Sequence, residues 1–554
     1  MENEKLPLHL FENIALCFSG GGFRAAGYSL GILSYYNHVK LKGETLLSHV
    51  KGLSTVSGGT ITGVSYANSL VAGETFDKFK DRLYQFLDKT DLLEVALLKL
   101  SDDVVWENSH KKRSLINAFA FSYKELVGEA EFGLFKKQRF QLENITFNAT
   151  DCSYGLAFRF TNTGKFGNYR LYRKDLTSLS GQMKLADIIA ASSCFPLGFE
   201  PIIMPDDFLA NHSDDCYKNL KSDSDFANGV GLMDGGIVDN QGIGSIRLSD
   251  NNRGDNKFDF IMVCDVSSYI MSPWEASVEN VTNKKSMNRN LRFYKEWVYS
   301  KVKQWWWVVT PFILLVVCII FSNIYKPLLQ VSAGALLVIS LIALIIKCKL
   351  IRYRNSINRS WEKLVTSKFL PDPIKNVIGN FEVLRLQLLK RMLIERATSG
   401  LKMVNEMFLK QIRRLNYDLF YKDVLLKHRR SSAMIYELTK KQYEKNESDE
   451  KGEEAKLCEI PSPGSKIYEI SKQASEFGTT LWFTEEDRKN KILNKLIICG
   501  QFTACYNLLK YCFDLKKDKV DVDQQLLQDM TEAFMDDWLK FIKDPYWLHS
   551  ESFK

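Results

Sequence analysis

With 554 residues the chain is too long for one ordinary domain, and its 45% hydrophobic and 25% charged content is that of a globular protein. A formal net charge of +8 suits an anionic membrane surface and gives no ground for nucleic acid as a partner. The 11 cysteines are odd in number and form no CxxC pair or Cys/His cluster, which argues against a disulfide framework or a zinc site and for thiols in a reducing compartment.

The N-terminus, MENEKLPLHLFENIALCF, lacks a basic segment followed by a long apolar run, so no cleavable signal peptide is expected and the first domain is expected in the cytosol. NIALCFSG (Asn13 to Gly20) reads as a buried strand and AAGYSLGILSYYNHV as a helix. VKGLSTVSGGTITGVSYANSL reads as a short strand, a sharp turn and a helix rich in small residues. FDFIMVCDVS (Phe258 to Ser267) reads as a further buried strand, and the alternation predicts an α/β sheet with helices on its faces. Two uncharged stretches follow, Trp305 to Tyr325 and Leu328 to Ile346, each about the ~20 residues a helix needs to cross a bilayer. Lys326 and Pro327 between them read as a helix-breaking hinge, and Trp305, Trp306 and Trp307 fit an interfacial aromatic belt. Lys301 and Lys303 precede the pair and Lys347, Lys349, Arg352 and Arg354 follow it, so both flanks are expected on the cytoplasmic side.

Beyond the hairpin, Phe381 to Tyr421 is helical in pattern and basic, Glu444 to Lys456 reads as a charged linker, and Pro461 to Lys543 resumes helical patterning. The expected organisation is a first domain over 1–290, a transmembrane hairpin over 305–347 and a mainly helical cytoplasmic region over 355–554. That last region is a candidate to complete the first domain, leaving the hairpin as an insertion.

Three stretches can carry chemistry. In CFSGGGFRAAG (Cys17 to Gly27) consecutive glycines between a strand and a helix can point several N–H groups at one spot, where the helix N-terminus adds positive potential. Such a turn can hold an oxyanion, a phosphate or a dinucleotide. Gly20 to Ala25 also fits G-x-G-x-x-A, although the acidic residue about twenty positions on, Glu44, follows no clear strand. Ser57, in STVSGGT, has Gly58 and Gly59 on the helix side, as a strained nucleophile elbow needs small neighbours. The usual first glycine of that pattern is replaced by Thr55. In VGLMDGGIVDNQGIG, Asp234 follows an apolar run and precedes two glycines, which aim a carboxylate from the backbone. The alternative for that stretch is an Asp-Gly turn with no chemistry. A neutral serine needs a base, and none of the seven histidines, His38, His49, His212 and His428 among them, stands in a glycine-flanked context. An aspartate whose burial keeps it basic can serve instead, and Asp234 is the best candidate. N–H donors at the glycine turn would contribute on the order of 3–4 kcal/mol each to an oxyanion.

In order and context, SGGGFRAAG, STVSGGT, AASSCFPLGFEPI (Ala190 to Ile202) and DGGIVDN resemble the patatin-like phospholipase family over roughly Asn13 to Ser267. The resemblance implies a three-layer α/β/α fold, Ser57 as nucleophile, Asp234 as general base, Gly20, Gly21, Gly22 and Arg24 in the oxyanion loop, and no metal or cofactor. Thr55 departs from the family's usual glycine, and its Cβ is expected to crowd the elbow. The expected function is a membrane-anchored lipid acyl hydrolase of phospholipase A or lysophospholipase type, with membrane lipids as its partners. The alternatives are a catalytically silent lipid-binding or scaffolding relative, and a nucleotide-binding protein using the glycine loop.

Overall fold

A computed structural model describes residues 9–107, 109–137, 140–267, 289–321, 326–365, 383–450 and 460–552. Several expectations reach beyond them: the start and end of the first domain (1–8 and 268–288), the end of the first apolar span (322–325), part of the C-terminal region including the start of its basic helical pattern (366–382), and the second half of the charged linker (451–456). The described chain divides into one unit made of Met1–Met271 and Asn405–Lys554, and a second made of Ser272–Val404.

The first unit is built on an eight-stranded mixed sheet. Its strands are β1 (Ile14–Phe18), β2 (Val50–Val56), β3 (Asn144–Asp151), β4 (Leu156–Thr161), β5 (Ile202–Met204), β6 (Val230–Asp234), β7 (Phe260–Asp265) and β8 (Arg430–Met434). They run in the order β8-β7-β1-β2-β3-β6-β5, with β4 also paired to β3. The first five of that order are parallel, whereas β4, β5 and β6 join antiparallel. The sequence patterns explain the centre. IALCF and FIMVCD are buried at every position, as parallel strands covered on both faces must be. Alternation then sorts the side chains. Ile14, Leu16 and Phe18 enter one core cluster, while Ala15 and Cys17 enter a second with Ile261 and Val263.

Helices fill both clusters. The larger takes α1 (Gly22–His38), α2 (Gly58–Val71) and α3 (Leu185–Ser192). The smaller takes Ile243 and Ile246 of α5 (Ile243–Asn252), which follows the short α4 (Gly236–Asp239), and Phe420 from further along the chain.

The second unit holds α6 (Leu291–Lys303), α7 (Trp306–Phe321), α8 (Lys326–Val365) and α9 (Leu386–Lys402). Lys347 Nζ donates to the Gln304 carbonyl at 2.8 Å, and the Tyr299 hydroxyl to Asn358 Oδ1 at 2.6 Å, so α8 runs antiparallel to α6 and α7. Pro327 falls in the first turn of α8, where a proline is tolerated. Two helical stretches, Arg292–Phe321 and Val331–Ser356, are long and apolar enough to cross a membrane. Most of their apolar side chains are exposed, Phe312 at 58%, Ile320 at 63% and Leu341 at 52%, although Val308 and Leu315 are buried.

The C-terminal part returns to the first unit with α10 (Leu409–Lys422), β8, α11 (Ser465–Glu476), α12 (Ile492–Lys517) and α13 (Gln524–Lys543). Sequence patterning reads this region as helical and misses β8, which extends the parallel sheet beside β7. Helix α12 is almost wholly buried and crosses α1 at glycines: a Cβ at Gly31 would collide with the Ile497 carbonyl, and one at Gly500 with the Tyr28 carbonyl. That backbone-to-backbone approach explains the small residues spaced along α1.

Candidate active site

The β1–α1 connection is the glycine turn. Gly21 (φ 149°) and Gly22 (φ 59°) adopt conformations that a side chain disfavours. A Cβ on Gly22 would also strike the carbonyl of Thr480, so the TTLWF stretch covers the turn. The amides of this loop are not equivalent. Gly20 N–H donates to the Asn240 carbonyl at 3.0 Å and Phe23 N–H to the Thr480 carbonyl at 2.8 Å. Both are therefore committed, and Gly21 and Gly22 are left as the turn's candidate donors.

Ser57 follows β2 and caps α2 with φ 51° and ψ −121°, a strained conformation for a residue with a side chain. Gly58 lies against the backbone of Gly22, and a Cβ on Gly59 would come within 2.7 Å of the carbonyls of Phe18 and Ser19. The elbow is thus pressed onto the glycine turn, which only two glycines permit. A chain of hydroxyls holds it there. Ser57 N–H donates to Ser192 Oγ at 2.9 Å, and Ser192 Oγ donates to the Asn148 carbonyl at 2.6 Å. Thr60 Oγ1 lies 2.8 Å from Ser192 Oγ and 2.9 Å from Thr55 Oγ1. Thr55 is buried beside the elbow. Its methyl occupies the space over Gly63, where a Cβ would lie 2.5 Å from Thr55 Cγ2.

Asp234 closes β6. Its N–H donates to the Cys194 carbonyl at 2.8 Å, its carbonyl accepts from Thr150 Oγ1 at 2.8 Å, and Oδ1 accepts from Gly236 N–H at 2.7 Å. Burial raises its pKa from 3.8 to about 6, against the opposing pull of hydrogen bonds from Gly236 N–H and the Ser57 side chain. Such a carboxylate is ionised at neutral pH yet basic enough to take a proton.

The sheet brings these pieces to one place. Gly20, Gly21, Gly22, Arg24, Ser57 and Asp234 all line a cavity of about 340 Å³. Gly58 and Gly59 do not line it, and no histidine does among the described residues. Arg24 lines the cavity, and its guanidinium donates to the carbonyls of Ser475 and Phe477 at 3.2 and 2.6 Å, tying α1 to the end of α11. Burial lowers its pKa to about 10. A larger cleft, about 900 Å³, lies at Glu143, Lys165 and Arg253 and among the described residues is lined by no serine, cysteine or histidine. Glu44, the acidic partner a dinucleotide loop needs, sits exposed in a two-residue strand paired to Lys40–Leu41 and does not line the Ser57 cavity.

Sequence reasoning missed several lining residues. Asn240, in the quoted DGGIVDN, places Oδ1 2.5 Å from where a Gly20 Cβ would be, and the motif itself was the available signal. Ser193 likewise lines the cavity and lies inside AASSCFPLGFEPI. Lys410, Arg413, Thr479 and Leu481 come from the far end of the chain, and only the fold brings them in.

Comparison with protein families matches residues 16–245 to the model described as Patatin-like phospholipase, the family this stretch is similar to. No curated protein matches the chain.

Proposed function

We propose, from the similarity of residues 16–245 to the patatin-like phospholipase family, that the chain is a membrane-anchored lipid acyl hydrolase working through Ser57 and Asp234. The observation that carries the reading is the meeting of an elbow serine, a buried carboxylate of raised pKa and a glycine turn in one cavity. Asp234 takes the hydroxyl proton as Ser57 Oγ attacks the acyl carbonyl. The Gly21 and Gly22 amides receive the oxyanion. Collapse expels the lipid alcohol, which recovers the proton from Asp234, and leaves an acyl-Ser57 ester. Asp234 then deprotonates water, which releases the fatty acid and restores Ser57. Helices α7 and α8 hold this chemistry beside its insoluble substrate. Their cationic flanks place both soluble parts on the cytoplasmic face. The first domain, with the C-terminal strand and helices, makes an α/β/α sandwich into which the hairpin is inserted.

The test is hydrolysis of lipid and soluble esters by wild type, Ser57→Ala and Asp234→Asn, with fluorophosphonate labelling of Ser57 in parallel. Loss of turnover by a factor of about 10⁴ or more is expected for Ser57→Ala, with unchanged far-UV circular dichroism. Undiminished hydrolysis by that variant would overturn the reading.

A further inference from the structure

An enzyme that cleaves an insoluble ester must take an acyl chain from a bilayer into its cavity without drawing it through water. One loop joins the Ser57 cavity to the outside. The stretch Cys194-Phe195-Pro196-Leu197-Gly198-Phe199 carries no charged side chain. Phe195 and Pro196 line the cavity together with Ser57 and Asp234. The same loop also faces outward: Leu197 is 65% exposed and Phe195 44%.

Leu197 is held at φ 71°, where the backbone of a leucine is strained. Five other non-glycine residues share a positive φ among the described residues, and they are Lys42, Lys491, Lys519, the nucleophile candidate Ser57 and the fully buried Phe11. Leu197 is thus the one that is both apolar and exposed. Strain and exposure each cost free energy in water. The neighbouring contacts enforce both. Cys194 Sγ donates to the Glu200 carbonyl at 3.2 Å and closes the base of the loop, and Phe199 N–H donates to the Phe195 carbonyl at 3.3 Å. The Phe195 and Phe199 rings meet edge-on with centroids 4.9 Å apart, and Phe199 packs in the same way on the buried Phe119, also at 4.9 Å. A Cβ on Gly198 would strike the Phe195 ring. The Cys194 carbonyl accepts from Asp234 N–H at 2.8 Å, so the loop is fixed to the strand end that carries the candidate base.

We propose that this loop is a membrane-insertion tip. Leu197 and the outer edge of Phe195 enter the acyl layer of a bilayer, and the lipid passes along Phe195 and Pro196 to Ser57. The partner is a lipid surface, because the inner side of the loop continues into a cavity whose substrate is an acyl chain. Insertion also removes the water that makes an exposed leucine costly. The proposal rests on the reading of Ser57 as the nucleophile of a lipid esterase.

The experiment uses the full chain reconstituted in phosphatidylcholine vesicles. Two substrates are compared, an acyl lipid resident in the vesicles and a soluble short-chain ester below its aggregation concentration. Asparagine tolerates a positive φ better than leucine does, so Leu197→Asn is expected to melt no lower than wild type. It is nevertheless expected to lower the ratio of bilayer to soluble hydrolysis by about tenfold or more. Leu197→Met, which stays apolar, is expected to keep more of that ratio. In parallel, a nitroxide is placed on Leu197→Cys and read against the wild-type chain labelled in the same way, which subtracts the native cysteines. Its relaxation is expected to respond to oxygen and not to a water-soluble nickel chelate. An unchanged ratio in Leu197→Asn, an equal loss on both substrates included, overturns the insertion tip. A nitroxide reached by the nickel chelate also overturns it, as would be seen if the loop were solvated or kept for a protein partner. Failure of the premise looks different: Ser57→Ala would then hydrolyse both substrates as wild type does.

Discussion

Asp234 sits where a charge is costly, and two measurable effects follow from its pKa of about 6. As a base it works only when ionised, so kcat/KM for a soluble ester is expected to rise with pH through an inflection near 6 and level off above 7. The same burial works against folding. The group binds its proton more tightly in the folded chain than in the unfolded one, so its contribution to stability is present below pH 3.8 and is lost as pH rises through about 6. At pH 7.5 the loss is roughly 3 kcal/mol, at about 1.4 kcal/mol per pH unit. Asp234→Asn keeps an acceptor for Gly236 N–H and removes the charge. It is expected to be inactive yet to melt at a higher temperature than wild type at pH 7.5, with the difference gone near pH 4. A lower melting temperature at pH 7.5 would show that the carboxylate is stabilised by contacts that offset its burial. The elbow offers a second residue-scale test. Gly63→Ala would ordinarily favour α2 by up to about 1 kcal/mol, but here the new Cβ meets Thr55 Cγ2 at 2.5 Å. Destabilisation of about 1–3 kcal/mol is expected, with weakened activity. Thr55→Ser removes the methyl and keeps the hydroxyl bound to Thr60, so the double variant should recover most of the loss. Denaturant midpoints of the four proteins in the cycle measure the coupling.

The elements differ in how much of their place the sequence discloses. Ser57, Asp234 and the glycine turn are legible because tight backbone approach demands glycine. Gly22 meets Thr480 and Gly58 meets Gly22, and such demands leave runs that composition does not otherwise produce. Strands β1 and β7 are legible because burial on both faces makes them continuously apolar. Strand β8, RSSAM, pairs on one side only and carries three polar residues, so its pattern is that of a loop. Lys410 and Arg413 are illegible for another reason: cations three apart on a basic helix look the same whether they face solvent or a cavity. Helix α12 is recognisable as a helix, but nothing local says that its partner is α1, hundreds of residues earlier. That pairing has its own prediction. Gly31→Val places side-chain atoms where the Ile497 carbonyl lies, and backbone cannot yield as a flexible side chain can. A loss of at least 1–3 kcal/mol is expected, seen as a lower Cm in urea. Leu33→Val, a methylene removed from the same helix with no backbone collision, should cost about 0.5–1.5 kcal/mol.

At the scale of the whole molecule, the chain leaves the first unit after Met271 and re-enters at Asn405. Ser267 and Leu409 line the same cavity, so the two ends of the excursion lie near each other. A segment that leaves and returns at neighbouring points can be removed without separating what it joins. Residues 1–271 and 405–554, connected by a flexible Gly/Ser linker of roughly ten residues, are therefore expected to form a soluble protein that still hydrolyses a soluble ester. The full chain is expected to stay with membranes through carbonate extraction and that variant to be released, since the apolar helices α7 and α8 go with the excised part. A chain stopped at residue 290 keeps Ser57 and Asp234 but lacks β8 beside β7, α12 against α1 and the Thr479–Leu481 cover over the glycine turn. Its exposed sheet edge and uncovered apolar helix face should make it aggregate. Full ester hydrolysis by that truncated chain, purified as a monomer, would mean that the C-terminal strand and helices decorate the hydrolase fold rather than complete it.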